Sequence, residues 1–264
     1  VACTGDVFHS KTSLSPDAVL FARSLFEQII ELGFTVVIIP GNHDGNENNL
    51  NRNDAIQTLV PYFKDYHNKF RYFRESGVYE VGNIAFGVGS VFSEKKKPPL
   101  ASSIANLSEP LFRKVALFHG IVRGAVYQNQ QTDTTSECRL EDFNGYDLIL
   151  LGDIHKHQFL APNCAYASSL SQQNYGEDID KHGFIEWDLN TNKGLFVRVT
   201  SSYAYVTLNI RDGVVEEPEN LPQNLCVRVY HQNTSNEQLQ IIQRKYSFKH
   251  KIIEWKQIKQ SNFA

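Results

Sequence analysis

The residues best suited to chemistry stand at the ends of four apolar runs. Thr4-Gly5-Asp6-Val7-Phe8-His9 sets a carboxylate and an imidazole three residues apart. Pro40-Gly41-Asn42-His43-Asp44 follows the run Thr35-Val36-Val37-Ile38-Ile39 and presents an amide, an imidazole and a carboxylate in succession. Val115-Ala116-Leu117-Phe118 leads into His119-Gly120, and Tyr146-Asp147-Leu148-Ile149-Leu150-Leu151 into Gly152-Asp153-Ile154-His155-Lys156-His157. An Asn oxygen is a neutral metal ligand, and a carboxylate can bridge two cations. A His beside an Asp can move a proton or steady a charged phosphoryl oxygen. Each motif alone reads equally well as a polar turn, a helix cap or a surface histidine. Together they hold five of the nine histidines, which chance would scatter. Mixed Asp, His and Asn ligands suit Mn, Fe or Zn. There are enough of them for two ions sharing one carboxylate, an arrangement used for in-line displacement at phosphorus.

The elements that must position these groups are legible in outline. Uninterrupted β-branched runs read as strands buried on both faces, and open α/β sheets place their chemistry at the carboxyl ends of such strands. Ser15-Pro16-Asp17 is a helix start, with Ser15 as cap and Pro16 at the first helical position. Val19, Leu20, Phe26, Ile29 and Ile30 then recur at helical spacing, and Gly33 stops the helix. Residues 4–39 therefore read strand, helix, strand, a crossover that makes the two strands parallel and puts Asp6 and Asn42 on neighbouring ends. Residues 46–53 read as an Asn-rich loop and residues 54–63 as a short helix. Gly82-Asn83 marks a two-residue hairpin. Lys95-Lys96-Lys97 is a solvated face or a phosphate contact. Residues 121–137, with Arg123 and Tyr127, cover a substrate groove or form a flexible insert. Asp153, His155 and His157 alternate, so either Asp153 and His155 or His155 and His157 can share a face.

The remaining composition narrows the class. The chain has 264 residues, 41% of them hydrophobic, enough for one large domain with a small appendage. Its net charge is −3 and its pI about 6.3, so nucleic-acid contact would need local patches. Cys3, Cys138, Cys164 and Cys226 form no C-x-x-C pair and read as scattered thiols of a reducing compartment, cytoplasmic or, in a eukaryotic host, nuclear. No run is long enough to cross a membrane, and no signal peptide is visible. The first residues read as a strand already under way, and the chain has no Met, so the reading frame is expected to begin upstream. Beyond about residue 200, Leu225-Cys226-Val227-Arg228-Val229-Tyr230 reads as a strand, residues 235–245 as a helix, and Ile252-Ile253-Glu254-Trp255 as a further strand. Arg244, Lys245, Lys249 and Lys251, with Tyr246, Phe248 and His250 between them, suit base stacking with phosphate contact, or a solvated helix end.

In order and spacing, Gly5-Asp6, Gly41-Asn42-His43-Asp44, His119 and Gly152-Asp153-Ile154-His155 resemble the calcineurin-like metallophosphoesterase superfamily. Gly5-Asp6-Val7-Phe8-His9 is most similar to its SbcD-like double-strand-break repair nucleases, since other members usually carry Asp where His9 stands. Residues 167–177 and 181–189 also look like that branch. The resemblance implies an α/β fold: a sandwich of two mixed β-sheets flanked by helices, with a small α+β capping domain. Residues 1–200 would be the nuclease domain, lacking its N-terminal strand and first Asp-x-His motif, and 201–264 part of a DNA-capping domain. Asp6 would bridge two divalent ions, expected to be Mn2+. Asn42, His119 and Asp153 would complete one ion site, and His155 would bind the other ion. His43, oriented by Asp44, would act at the scissile phosphate, with His9 beside it. Asp153 departs from the family, which usually has His there. The implied activity is exonuclease and single-strand endonuclease hydrolysis of DNA, alongside an SbcC-like SMC-type ATPase and as a homodimer of the full-length protein. A phosphatase, a nucleotide phosphodiesterase and a non-catalytic scaffold for the ATPase are the alternatives.

Overall fold

The structure is a computed structural model that describes residues 1–66, 68–104, 113–216, 220–247 and 251–257, without side chains for 245–247 and 251–257. The chain divides into two compact units, Val1–Ser168 with Ile185–Phe196, and Ser169–Phe184 with Val197–Ala264.

The first unit is built on two sheets. Strand β1 (Ala2–Cys3), helix α1 (Pro16–Glu31), strand β2 (Val36–Ile38) and strand β3 (Phe70–Tyr72) make a three-stranded sheet in the order β1-β2-β3, parallel throughout. Ser15 caps α1 by accepting the Ala18 N–H at 3.1 Å, and Pro16 opens it. Gly33 ends it at φ +96°, a conformation that a Cβ disfavours. The second sheet holds β4 (Gly77–Val81), β5 (Ile84–Gly89), β6 (Arg113–His119), β7 (Leu148–Gly152), β8 (Gln158–Ala161) and β9 (Cys164–Tyr166). Its order is β4-β5-β6-β7-β9-β8; β5, β6, β7 and β9 are parallel and the two outer strands antiparallel. One sheet of the pair is thus mixed and the other wholly parallel, where two mixed sheets were expected. The α1 crossover makes β1 and β2 parallel, and β3 joins them in the same direction after the long connection over residues 39–69.

Alternation along the strands sorts the core. Val36 and Ile38 turn towards Phe26 and Ile30 of α1, while Val37 and Ile39 turn towards Val88, Val115, Leu117 and Leu148 of the larger sheet. All four β2-region side chains are buried. At roughly 1.5–3 kcal/mol per aliphatic side chain, this short run is among the strongest local contributions to stability. On the far face of the larger sheet, Ala116, Phe118, Ile149 and Leu151 pack with Phe143, Tyr146 and Tyr166. The expected helix over 54–63 is two 3-10 turns, Ile56–Thr58 and Val60–Phe63, with Pro61 in the second. A hairpin of β10 (Gly183–Asp188) and β11 (Lys193–Arg198) runs through both units, and its Trp187 joins the core between the sheets.

The second unit carries a four-stranded sheet, β12 (Tyr203–Arg211), β13 (Val214–Glu216), β14 (Asn224–Gln232) and β15 (Lys251–Gln257), in the order β13-β12-β14-β15. Helix α2 (Asn236–Ser247) lies between β14 and β15 in the chain, and its Ile242 and Leu239 pack with Val206, Leu208, Val227 and Val229. Gln172 fastens the preceding segment to the sheet. Its side-chain oxygen accepts the Tyr205 N–H at 2.7 Å, and its amide donates to Tyr205 O and Glu177 O, both at 3.0 Å. Of the basic cluster expected near the end of α2, Arg244 is exposed and the other side chains lie outside the described residues.

Candidate metal centre

Parallel pairing puts the carboxyl ends of β1 and β2 side by side, and those of β6 and β7 likewise. The two sets meet through Thr4. Its carbonyl accepts a hydrogen bond from His119 Nδ1 at 2.7 Å, and its hydroxyl donates to Leu151 O at 3.3 Å. Because a carbonyl can only accept, His119 carries its proton on Nδ1, which leaves the Nε2 lone pair free. That Nε2 is buried without a hydrogen-bond partner among the described residues. It lies 3.5 Å from Asp6 Oδ2 and 3.8 Å from Asp153 Oδ1. Ligand atoms of Asp6, His119 and Asp153 all fall within 4.8 Å of one another. Asn42 Oδ1 is likewise buried without a hydrogen-bond partner. Buried polar atoms left unpaired cost about 1–3 kcal/mol each unless something satisfies them. An imidazole lone pair, an amide oxygen and two carboxylates are acceptors with no donor among them. That donor set fits a divalent cation.

The backbone is bent to make this cluster. Asp6 and Asp153 both adopt left-handed backbone angles, φ 56° and 89°, uncommon for residues with a Cβ. Glycines allow the strands' ends to close up. A Cβ on Gly41 would overlap Asp6 Oδ1 and lie 2.6 Å from His119 Cε1, and one on Gly152 would overlap the Thr4 carbonyl. The Asp6 carboxylate is held by its other oxygen, Oδ1, which accepts the His43 N–H at 2.9 Å. Burial raises the Asp153 carboxyl above its usual range; His119 opposes this, Asp6 adds to it, and His155 and His43 oppose it. A cation would reverse that penalty.

His43 and Asp44 have parted company. Asp44 is buried, and its carboxylate accepts three backbone N–H groups: Asp6 at 2.8 Å and Gly41 at 2.8 Å on Oδ2, and Phe8 at 2.9 Å on Oδ1. It ties the first loop to the second rather than orienting the His43 ring. Burial pushes its carboxyl up to about 7, against the pull of those N–H groups. The ring of His43 is aligned instead by the main chain of His9, whose carbonyl accepts from Nδ1 at 2.8 Å. The exposed His9 ring stacks on it at 5.3 Å between centroids. Thr4 and the His9 carbonyl went unnoticed in the sequence because side-chain identity carries no signal of what a main-chain carbonyl does.

Of the alternating residues at 153–157, Asp153 lies in the cluster with Asp6 and His119. The His157 ring stacks on Phe196 at 3.9 Å between centroids, and its Nδ1 donates to Tyr166 O at 3.2 Å. His155 is half-buried and contributes to the electrostatics of Asp153, while the tight ligand triad is formed by the other three residues. The 121–137 loop is ordered by its own bonds and by Gln158, which pairs with both main-chain groups of Val126 at 2.7 and 2.9 Å. Lys96 and Lys97 of the lysine triplet pair with Glu47 and Asp142, each at 2.7 Å, so two of its three charges are spent within the chain.

The strand-end carboxylates of Asp6 and Asp153 and the imidazole of His119 form a candidate metal site in an α/β scaffold. The pattern of the calcineurin-like phosphoesterase family matches residues 1–157, and the chain belongs to that family, whose members are hydrolases that bind divalent metals and act on phosphoester bonds. The chain is also 35% identical over 247 residues to an uncharacterized protein of Acanthamoeba polyphaga mimivirus, a match covering 91% of this chain and 18% of that protein. The chain thus spans about a fifth of that relative's length. No helix among the described residues is long and apolar enough to cross a membrane.

Proposed function

We propose that this chain is the catalytic part of a DNA nuclease holding two divalent ions, Mn2+ by preference. The supporting observation is the cluster of Asp6, His119 and Asp153, together with two buried acceptors, His119 Nε2 and Asn42 Oδ1, that have no hydrogen-bond partner among the described residues. In this reading Asp6 lies between two ions, with Asn42, His119 and Asp153 on one and His155 on the other. The bound ions would polarise a phosphoryl oxygen and lower the pKa of water. His43, its Nδ1 fixed on the His9 carbonyl, presents Nε2 to the scissile phosphate or its leaving oxygen. Asp44 holds the two loops in register from below. The DNA preference rests on the likeness of Gly5-Asp6-Val7-Phe8-His9 to the SbcD-like branch, as does a place beside an SbcC-like SMC-type ATPase, in a homodimer of the full-length protein, in the cytoplasm or nucleus. Residues 201–264 then contribute to a DNA-capping domain.

The complete protein is expected to degrade linear DNA with Mn2+ and to lose this on His43→Ala. Faster turnover of small phosphomonoesters than of DNA would make it a phosphatase or nucleotide phosphodiesterase. Absence of both metal binding by calorimetry and turnover of either substrate would leave the scaffold role.

A further inference from the structure

A cleft of about 480 Å³ opens along the outer edge of β3, lined by Val60, Phe63, Lys64, Phe70, Arg71 and Tyr72 among others. It falls within the range of ligand-sized clefts, roughly 300–1,000 Å³. Its lining has three cationic side chains and no carboxylate, in a chain whose net charge is −3. Arg74 is compensated by Asp54 at 2.8 Å. Lys64 and Arg71 have no carboxylate partner among the described residues. The wall is apolar, from Val60, Pro61, Phe63 and Phe70.

The edge itself is chemically specific. Register pairs Val36 with Phe70 and Ile38 with Tyr72. Val36 N–H donates to Lys69 O, and Phe73 N–H to Ile38 O. In a parallel ladder this phase spends the main-chain groups of Arg71 on β2 and turns those of Phe70 and Tyr72 outward. Two N–H donors and two C=O acceptors therefore line the cleft in alternation. A phosphate could use the donors, but the carbonyls would repel it. An extended peptide satisfies both, which is the logic of strand addition. The geometry points to an acidic peptide segment that adds to the edge of β3, with apolar side chains against Phe63 and Phe70 and alternate carboxylates near Lys64 and Arg71. This site is independent of the metal centre.

The test uses the whole chain, isotope-labelled, with a panel of capped hexapeptides alternating Glu or Asp with Val, Leu or Phe. At least one is expected to bind with a dissociation constant below about 1 mM and to shift the amide resonances of Phe70 and Tyr72. The double variant Lys64→Glu, Arg71→Glu, with its fold verified by circular dichroism, should weaken binding at least tenfold. N-methylation of alternate peptide amides should do the same in the unaltered protein. The proposal is overturned if no peptide binds, if N-methylated or Lys-for-Glu peptides bind equally well, or if a single-stranded hexanucleotide or pyrophosphate displaces the peptide from the same amides.

Discussion

Single side chains in this protein divide into those that offer lone pairs and those that hold others still. Asn42 and His119 are of the first kind, and their buried acceptor atoms have no donor among the described residues. Replacing either with Ala should reduce Mn2+ affinity by at least the ~10–100-fold that loss of an outer-shell partner costs, as read by calorimetry. Asp44 is of the second kind. Asp44→Ala strands three backbone N–H groups, one of them on Asp6 in the site and one on Gly41 beside it. At about 1–3 kcal/mol for each buried donor left unsatisfied, chemical denaturation should show a loss of about 3 kcal/mol or more. A surface-like loss below ~0.5 kcal/mol would contradict the buckle role. The types of residue at the centre were legible in the sequence because side-chain chemistry is written there. The division of labour between His43 and Asp44 was not, because adjacency in the chain says nothing about which way two neighbouring side chains turn.

Among the elements, β2 serves two cores with three residues. Its alternate side chains enter two separate cores, Ile38 against α1 and Val37 against the larger sheet. Ile38→Ala should cost about 2–5 kcal/mol, measured by the urea midpoint. Ser15→Ala removes one exposed cap bond and should cost only ~1 kcal/mol. Uninterrupted apolar runs and the Ser15-Pro16 start made these elements readable. The 3-10 turns between Ile56 and Phe63 were harder to read. Their apolar spacing fits a helix as well, and Pro61 and tertiary packing settle the matter. Likewise, within the 167–177 segment that resembles the nuclease branch, the Gln172 side chain pairs with the main chain of Tyr205. A glutamine bonding like a strand is invisible to propensity.

At the scale of the molecule, the first unit's two sheets meet at the site through Asp6, which follows β1, and His119 and Asp153, at the ends of β6 and β7. An ion bound there links β1 with β6 and β7. Saturating Mn2+ at about 100 times its dissociation constant should therefore add roughly 2.7 kcal/mol of stability, seen as a rise in melting temperature that a chelator reverses. Equal melting temperatures with and without chelator would show that the native state gains nothing from the ion. The parallel crossover that makes this convergence possible was readable from residues 4–39 alone. The wholly parallel character of the smaller sheet and the path of the 169–184 segment depend on contacts between distant parts of the chain, which no local pattern encodes.

Asp6 and Asp153 occupy a region of backbone space that suits glycine better than aspartate. Directed evolution for heat resistance alone should accordingly enrich Gly or Asn at these two positions. The survivors would be hardier proteins with a weakened cation site. Robustness and competence pull in opposite directions at these residues, and any engineering of the scaffold has to select for both at once.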